Sequence, residues 1–338
     1  MATASTILTT TAASTAVVGM REELGDIVSL MDPAEVPFSS WLSTGSTQNT
    51  TTHEWLITTL RSARRSPTYE GNVASNSTPK TTTRHKNVCE IIQEQFGVSK
   101  STQAADVAGG AGSMSFQEMH KAKELKKDLE LAVIGPQGWV ASDPREMGGI
   151  QAYAYTNTVG TGGTAPVTTG TSAGGTDVVY GTEQSLTVDL MNTKLQAAWQ
   201  QGAIISLFFL SSAQKLAFDA QVPVDNIAEA QIDVTGATGV TVATTVAVWR
   251  STFGQIKFIM DRILDEQGGW GQQCIIGVDE RSMYRPKICT MPGRNWVSAQ
   301  LGVRGDLDEK LITWEGTLET PNPRSIMLLG SMSDAYAS

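Results

Sequence analysis

The clearest pattern of hydrophobic and polar positions lies at residues 115–134. Its apolar residues recur at spacings of three and four, so they line one face of a helix; they are Met119, Ala122, Leu125, Leu129, Ala132 and Val133. Ser115 and Glu118 have the spacing of a capping box, and Gly135-Pro136 ends the pattern. The helix would be roughly 30 Å long, and its narrow stripe predicts a strut lying across a sheet. The residues expected to seat this strut are Met119, Leu125, Leu129 and Val133.

The remaining patterns mix helices and strands along the whole chain. A short amphipathic helix is predicted at 21–31, and longer helices are predicted at 187–201 and 211–220. Gly202 is an expected helix end. Strand patterns occur at 52–60, 88–99, 203–210, 240–278 and 312–329. The last of these is a pair of strands broken at Pro321-Asn322-Pro323. Elements distributed in this way predict an α+β fold.

A long polar loop joins the strand patterns at 52–60 and 88–99, which predicts a protruding hairpin. The loop and its flanks contain one acidic residue, Glu70, against six basic ones: Arg61, Arg64, Arg65, Lys80, Arg84 and Lys86. Two interpretations remain open. The loop is either a solvated tip or a positive arm that meets the negative surface of a neighbouring subunit.

Two segments are rich in small residues. Residues 1–19 are mostly Thr, Ala and Ser and bury too little surface to fold alone, which predicts an arm or a disordered segment. Residues 156–182 are rich in Gly and Thr but fit neither GxGxxG nor GxxxxGK[ST]. A flexible surface excursion is therefore favoured there over a phosphate-binding loop.

Length, charge and cysteine spacing narrow the class of protein. A chain of 338 residues favours two domains, or one domain with extensions. A net charge of −9 argues against a DNA-binding regulator. Cys89, Cys274 and Cys289 lack CxxC or Cys/His spacing, so neither a zinc site nor a disulfide framework is predicted, and reduced cytosolic folding is favoured. No apolar run reaches the ~18 residues of a membrane span.

Known catalytic and cofactor motifs do not fit the sequence. His53-Glu54 begins like a zinc-protease helix, but Ile57 occupies the position where the second histidine would stand. No GxSxG turn or Cys/His nucleophile pairing is found. Asp261, Asp265 and Glu266 are interpreted as a solvated strand end. We therefore expect a protein that is not an enzyme and that uses no cofactor or metal.

An arm, a projecting hairpin and apolar anchors such as Pro37-Phe38 cannot bury themselves. Parts of this kind become buried on partners, which predicts a repeating assembly. The residues expected to lie at contacts between subunits are Arg21, Glu22, Trp55, Arg64, Arg65 and Glu70.

Several short segments occur in a defined order along most of the chain: GMREELGDI at 19–27, PF at 37–38, THEW at 52–55, GVS at 97–99, ELKKDLE at 124–130, FGQI at 253–256, EGTLE at 315–319 and NP at 322–323. Together they resemble the major capsid proteins of tailed bacteriophages, in the subgroup with a Gly-Xaa-Arg-Glu-Asp/Glu-Leu start.

The resemblance implies the Hong Kong 97 type of capsid fold. It implies the following parts: an N-terminal arm at 1–49, an extended loop at 50–99, a peripheral domain with its spine helix at 100–134, an axial domain at 135–303 with residues 156–182 as an insertion, and returning peripheral strands at 304–338.

The resemblance also implies a function. The chain would self-assemble into pentamers and hexamers of an icosahedral virion shell, formed in the host bacterial cytoplasm. The implied partners are other copies of the chain, a portal protein, possible scaffold and decoration proteins, and packaged double-stranded DNA held by weak non-specific contact. Two alternatives stay open at this point: a cellular nanocompartment shell with the same fold, and a secreted Thr-rich surface protein, which needs an export signal.

Overall fold

The computed structural model describes residues 35–73, 79–105, 113–221 and 248–333. The predicted arm at 1–19 and the predicted helix at 21–31, which contains Arg21 and Glu22, lie outside these residues. The described chain is a mixed α+β structure, as the sequence predicts.

The strands of the described residues are, in chain order, β1 (Ser43–Thr44), β2 (Thr52–Ile57), β3 (Thr83–Val88), β4 (Glu90–Ser99), β5 (Thr156–Thr158), β6 (Leu207–Leu210), β7 (Val248–Ser251), β8 (Gly254–Met260), β9 (Ile275–Val278), β10 (Lys287–Thr290), β11 (Val297–Arg304), β12 (Leu307–Glu319) and β13 (Ile326–Leu329). The α-helices are α1 (Pro37–Trp41), α2 (Lys100–Ala104), α3 (Met114–Ile134), α4 (Val188–Gln200), α5 (Ser212–Gln221), α6 (Arg262–Glu266) and α7 (Gly269–Gln272).

One sheet is built around β12, its longest strand. β12 pairs antiparallel with β4 along one side and with β11 and β10 along the other. β1 then adds to β10 in parallel orientation. The pair of strands predicted at 312–329 forms as β12 and β13, but β12 lies in this sheet whereas β13 does not.

A second sheet has the strand order β5-β13-β9-β6-β8-β7. β6 is buried on both faces, as its continuous apolar sequence predicts. Leu207 and Phe209 belong to a hydrophobic core shared with α3 and β12, whereas Phe208 and Leu210 belong to a core that contains residues of α4 and α5. This strand therefore holds two cores together.

The strands of the two sheets cross the expected domain boundaries. Residues 135–303 were expected to form one domain, yet β10 and β11 lie in the sheet of β4 and β12. Residues 304–338 were expected to return to that sheet, yet β13 pairs with β5 and β9. The periodicity of a strand shows which of its faces is buried, but it does not show which distant strand it pairs with.

The long helix α3 forms as predicted, with one change at its start. Its N-cap is Ser113, whose hydroxyl accepts a hydrogen bond from the Phe116 N–H at 3.2 Å, so Ser115 lies inside the first turn. The Glu118 carboxylate does not complete a capping box, because it accepts a hydrogen bond from Lys310 Nζ of β12 at 2.6 Å. Gly135 ends the helix as expected.

In the first half of α3, the residues that face the body lie one position before the predicted apolar residues. Leu125, Leu129 and Val133 are buried, whereas Met119 is 49% exposed. The helix instead meets the β4–β12 sheet through Glu118 and through Lys121, whose Nζ lies 2.6 Å from a carboxylate oxygen of Glu94. These two residues continue the stripe of Leu125 at helical spacing, so Met119 lies beside the contact face.

Residues 156–182 were predicted to be a flexible surface excursion, and most of residues 161–172 are exposed, but parts of the segment pack against the body. The Trp139 indole N–H donates to the Ala173 carbonyl at 3.0 Å, and the Trp139 backbone N–H donates to the Gly174 carbonyl at 2.8 Å. A side chain at Gly174 would lie 2.1 Å from the Tyr153 ring. Glycine is thus required here by the close approach of backbone and ring, which composition alone did not distinguish from a flexible loop.

The carboxylates at 261–266 also differ from the expected solvated strand end. Asp261 is fully buried and caps α6, accepting the Ile263 N–H at 2.9 Å. Asp265 accepts the Ser212 N–H at the start of α5 at 3.0 Å. These side chains therefore organise helix starts.

Candidate assembly interface

The predicted hairpin exists, but its strands pair differently from the prediction. β2 pairs antiparallel with β3, with Thr52 opposite Val88 and Ile57 opposite Thr83. The run at 88–99 mostly forms β4, which joins β12. The hairpin is therefore a separate two-stranded ribbon that leads into the larger sheet.

The hairpin is fixed to the body at its base by Asn87. This side chain is fully buried, and its amide N–H group donates to the Leu318 carbonyl at 2.8 Å and to the Gly148 carbonyl at 3.1 Å. Its amide oxygen accepts the Gly148 N–H at 2.9 Å. One amide therefore connects β3 to β12 and to the loop after α3.

Aromatic rings pack beside this amide. The Trp55 ring centroid lies 5.4 Å from that of His53, 6.2 Å from that of His85 and 6.0 Å from that of Tyr153. The Tyr153 hydroxyl donates to the Lys86 carbonyl at 2.8 Å. Trp55, predicted to contact a neighbouring subunit, thus already contacts its own body and anchors the ribbon there.

Beyond its base the hairpin is not covered by the described residues of its own chain. Every described residue between Thr58 and Arg84 is exposed. Large apolar side chains are among them: Leu60 is 91% exposed, Tyr69 90% and Val73 86%. Leu56, on β2 before this range, is 65% exposed. Apolar residues gathered on one projecting segment are typical of an interaction surface.

The charges of the hairpin separate into two groups. Near the base, Arg84 Nη1 lies 3.1 Å from a Glu54 carboxylate oxygen, and Lys86 Nζ lies 4.1 Å from the centre of the Trp139 ring. Arg64, Arg65 and Glu70 lie exposed on the loop. In the described part of the chain none of these three forms an ion pair. The loop therefore carries unpaired charge together with its exposed apolar side chains.

A second contact, which the sequence analysis did not find, docks the segment before the hairpin. Glu130 is fully buried on α3, and its carboxylate oxygens accept the backbone N–H groups of Phe38 and Ser39 at 2.6 Å each. Phe38 then packs edge-on against Phe209 at 4.7 Å. The carboxylate lies at the N-terminal turn of α1, where exposed N–H groups need acceptors.

The electrostatics of Glu130 are unusual for a surface-type residue. Burial raises its pKa from 4.5 to about 7, the nearby Asp261 carboxyl acts in the same direction, and the hydrogen bonds from Phe38 and Ser39 oppose both. Burial likewise raises the pKa of Asp261. No sequence signal distinguished Glu130 from the exposed acids of α3, because its partners lie about ninety residues away.

His53, Cys289 and Glu319 form a further cluster in the folded chain. These residues come from β2, β10 and β12, and their potential ligand atoms lie within 4.8 Å of one another. The sequence spacing gave no sign of this group.

No helix in the described ranges is long and apolar enough to span a membrane.

The fold is shared with solved shell structures that cover nearly all of this chain. The capsid of cyanophage A-1(L) is 13% identical with a TM-score of 0.63, covering 93% of this chain and 97% of that one. The capsid of a native GTA particle is 10% identical with a TM-score of 0.60, covering 96% and 99%. The holo-SrpI encapsulin complex from Synechococcus elongatus is 10% identical with a TM-score of 0.53, covering 92% and 94%. The chain therefore has the phage major capsid fold of the Hong Kong 97 type.

The sequence identifies the family more closely. Residues 3–333 match the family described as SU10 major capsid protein. Because that match spans almost the whole chain, the chain belongs to the SU10 major capsid protein family, which is a family of structural virion components. None of the curated protein sequences matches it.

Proposed function

We propose that this chain builds the icosahedral head of a tailed bacteriophage by assembling into pentamers and hexamers. The observation that carries the proposal is the projecting hairpin, whose apolar and basic side chains are not covered by residues 35–73, 79–105, 113–221 or 248–333 of their own chain. In a family of major capsid proteins, the available cover is another copy of the same chain.

The two sheets suggest how the subunit divides. We assign α3 and the β4–β12 sheet to a peripheral domain, and the six-stranded sheet with α4 and α5 to an axial domain around the capsomer axis. Residues 50–99 supply the extended loop through β2 and β3, and residues 1–49 supply the arm. Membership of the subgroup with the GMREEL start is part of this proposal.

The proposed contacts follow from exposure and charge. Arg64, Arg65 and Glu70 project from the loop and pair with a neighbouring copy, whose net charge of −9 favours a basic partner segment. Trp55 fixes the angle at which the loop leaves the body. Arg21 and Glu22 dock the arm, and Glu130 holds the segment that follows it.

The charge of the subunit also suits the proposed content of the shell. An acidic shell holds packaged double-stranded DNA only by weak, non-specific contact, since each strong phosphate contact would oppose packing and release. The proposed partners are therefore a portal, and scaffold or decoration proteins, in addition to copies of the chain itself.

Negative-stain electron microscopy of the purified chain, together with light scattering on a sizing column, tests the proposal. Closed shells, capsomers or tubes are expected, either from the chain alone or after co-expression with the neighbouring genes. A monodisperse monomer under both conditions would overturn it. Shells that contain an enzyme instead of DNA would identify a nanocompartment, the alternative raised by the encapsulin likeness.

A further inference from the structure

Three side chains with metal-binding chemistry meet where the hairpin joins the body. His53 lies on β2, Cys289 on β10 and Glu319 at the end of β12. Within the described ranges, this is the group of three or more His, Cys, Asp or Glu side chains whose ligand atoms converge within 4.8 Å. The sequence separations are 236 residues from His53 to Cys289 and 30 from Cys289 to Glu319.

The distances between these atoms are close to those of a tetrahedral zinc site. His53 Nε2 lies 3.0 Å from a Glu319 carboxylate oxygen, Cys289 Sγ lies 3.4 Å from the same oxygen, and Cys289 Sγ lies 4.0 Å from His53 Nε2. Bonds of about 2.0–2.3 Å at tetrahedral angles separate neighbouring ligand atoms by about 3.3–3.6 Å. Shifts of a few tenths of an ångström convert one arrangement into the other.

The surroundings of the cluster favour a bound cation. Cys289 is fully buried and His53 is 8% exposed, while the Glu319 side chain retains 15% exposure and leaves a route for an ion from solvent. The backbone of Gly45 closes the other side, because a side chain there would lie 2.3 Å from Cys289 Sγ. A thiolate, a carboxylate and a neutral imidazole together balance the charge of one divalent ion, which removes the penalty of an uncompensated buried charge.

We propose that His53, Cys289 and Glu319 bind one zinc ion, with water in the fourth position, and that this ion fixes the base of the hairpin to the body. Sulfur and nitrogen ligands select zinc or cobalt over magnesium and calcium, which prefer all-oxygen sites. On binding, the Cys289 S–H bond is replaced by an S–Zn bond and its proton leaves to solvent. His53 offers the lone pair of Nε2 and keeps its proton on Nδ1.

The position of the cluster gives the ion a structural role. β2 pairs only with β3 in a two-stranded sheet of the described chain, and an isolated two-stranded ribbon is marginally stable. A metal would connect β2 directly to β10 and β12, next to the amide of Asn87. It would thereby hold the extended loop at a fixed angle to the shell-forming body.

The test uses the tag-free, full-length chain, stripped with chelator and then equilibrated with Zn²⁺ or Co²⁺. Expected results are about one bound zinc ion per chain by elemental analysis and a thiolate-to-cobalt charge-transfer band in the absorption spectrum. The Cys289→Ser and Glu319→Gln variants should each bind zinc at least about tenfold more weakly. Zinc should also slow proteolysis of the loop between β2 and β3 in the wild type.

Cys274→Ser is the matched control, because Cys274 is also a fully buried thiol but lies just before β9, where its thiol donates to the Gly271 carbonyl. It should bind zinc like the wild type. If Cys289→Ser fails to give a native circular dichroism spectrum, the zinc affinity of Glu319→Gln tests the proposal instead. Absence of stoichiometric zinc in the wild type, or equal affinity in the folded ligand variants, would show that the cluster is only a hydrogen-bonded contact.

Discussion

At the residue scale, Glu130 shows how one buried carboxylate organises two segments. It accepts the first free N–H groups of α1 and stands beside Asp261, which caps α6. The helices α1, α3 and α6 therefore meet at two fully buried carboxyl groups. Burial of two acids in one place favours retention of a proton by the pair, so the contact depends on both hydrogen bonding and pH.

Replacing Glu130 with Ala should destabilise the unassembled chain by about 1–3 kcal/mol, because it leaves buried N–H groups of α1 without an acceptor. Urea unfolding at mildly acidic pH measures the change. Glu124→Ala is the matched control on the same helix, since Glu124 is exposed, and should change stability by less than about 0.5 kcal/mol. Equal effects of the two substitutions would contradict the docking role of Glu130.

The pH dependence of this pair has a definite sign. The pKa of Glu130 is raised from 4.5 to about 7 in the folded chain, so the folded state holds its proton more tightly than the unfolded state. Its contribution to stability is therefore fully present below pH 4.5 and is lost as the pH rises to about 7.

Asp261→Asn keeps the cap on α6 but removes one of the two acids. The free energy of unfolding of this variant should rise relative to the wild type as the pH increases through that interval. Asp189→Asn, at an exposed first-turn position of α4, should show no such trend. If the free energies of unfolding of the wild type and of Asp261→Asn differ by the same amount at every pH, the coupling between Glu130 and Asp261 is refuted.

At the element scale, α3 is a strut with two different contact surfaces. Its second half is seated by Leu125, Leu129 and Val133 in the core, whereas its first half lies on the β4–β12 sheet through ion pairs of Glu118 and Lys121. Apolar burial stabilises the helix more strongly than partly exposed ion pairs do. The second half should therefore dominate its stability.

Leu129→Ala should cost about 2–5 kcal/mol in the free energy of unfolding, since Leu129 is 5% exposed and its removal leaves a cavity in the shared core. Met119→Ala should cost less than about 1 kcal/mol, because half of that side chain already faces solvent in the single chain. Chemical denaturation of the unassembled chain compares the two. Similar losses at both positions would mean that the stripe seen in the sequence is seated along its full length.

At the scale of the whole molecule, the single chain leaves one large feature incomplete. Two cores joined by β6 complete the body, but the hairpin loop keeps Leu60, Tyr69 and Val73 almost fully exposed. We therefore expect folding and assembly to depend on different residues. Loop substitutions should change shell formation without changing the stability of the subunit.

Arg64→Glu combined with Arg65→Glu should leave the thermal unfolding of the unassembled chain unchanged and reduce shell yield at least about tenfold, because like charges at an interface are strongly unfavourable. Shell yield is measured by gradient sedimentation and electron microscopy. The matched control, Arg64→Lys with Arg65→Lys, keeps the charge and should assemble. Assembly of the Glu variant at wild-type yield would remove these residues from the proposed contact.

The elements that the sequence predicted best are those fixed by local forces. The spacing of Leu125, Leu129 and Val133 places three residues on one helix face, whatever the rest of the chain does. Gly202 ends α4 with φ of +90°, a conformation that glycine adopts without strain. The ordered short segments carried the family resemblance, which the comparison with known families confirmed at the level of a phage major capsid protein.

Only the tertiary structure decided which distant segments meet. Partner choice in a sheet, as for β2 with β3 and β12 with β4, depends on contacts that local periodicity does not encode. Local periodicity also does not show that Glu130 accepts the N–H groups of Phe38 and Ser39. Nor does it show that His53, Cys289 and Glu319 lie together. Sequence alone determined α3, α4, α5, β2 and β4 in outline, and the family. The fold determined where buried charge and metal-binding atoms converge, because those positions are set by long-range packing.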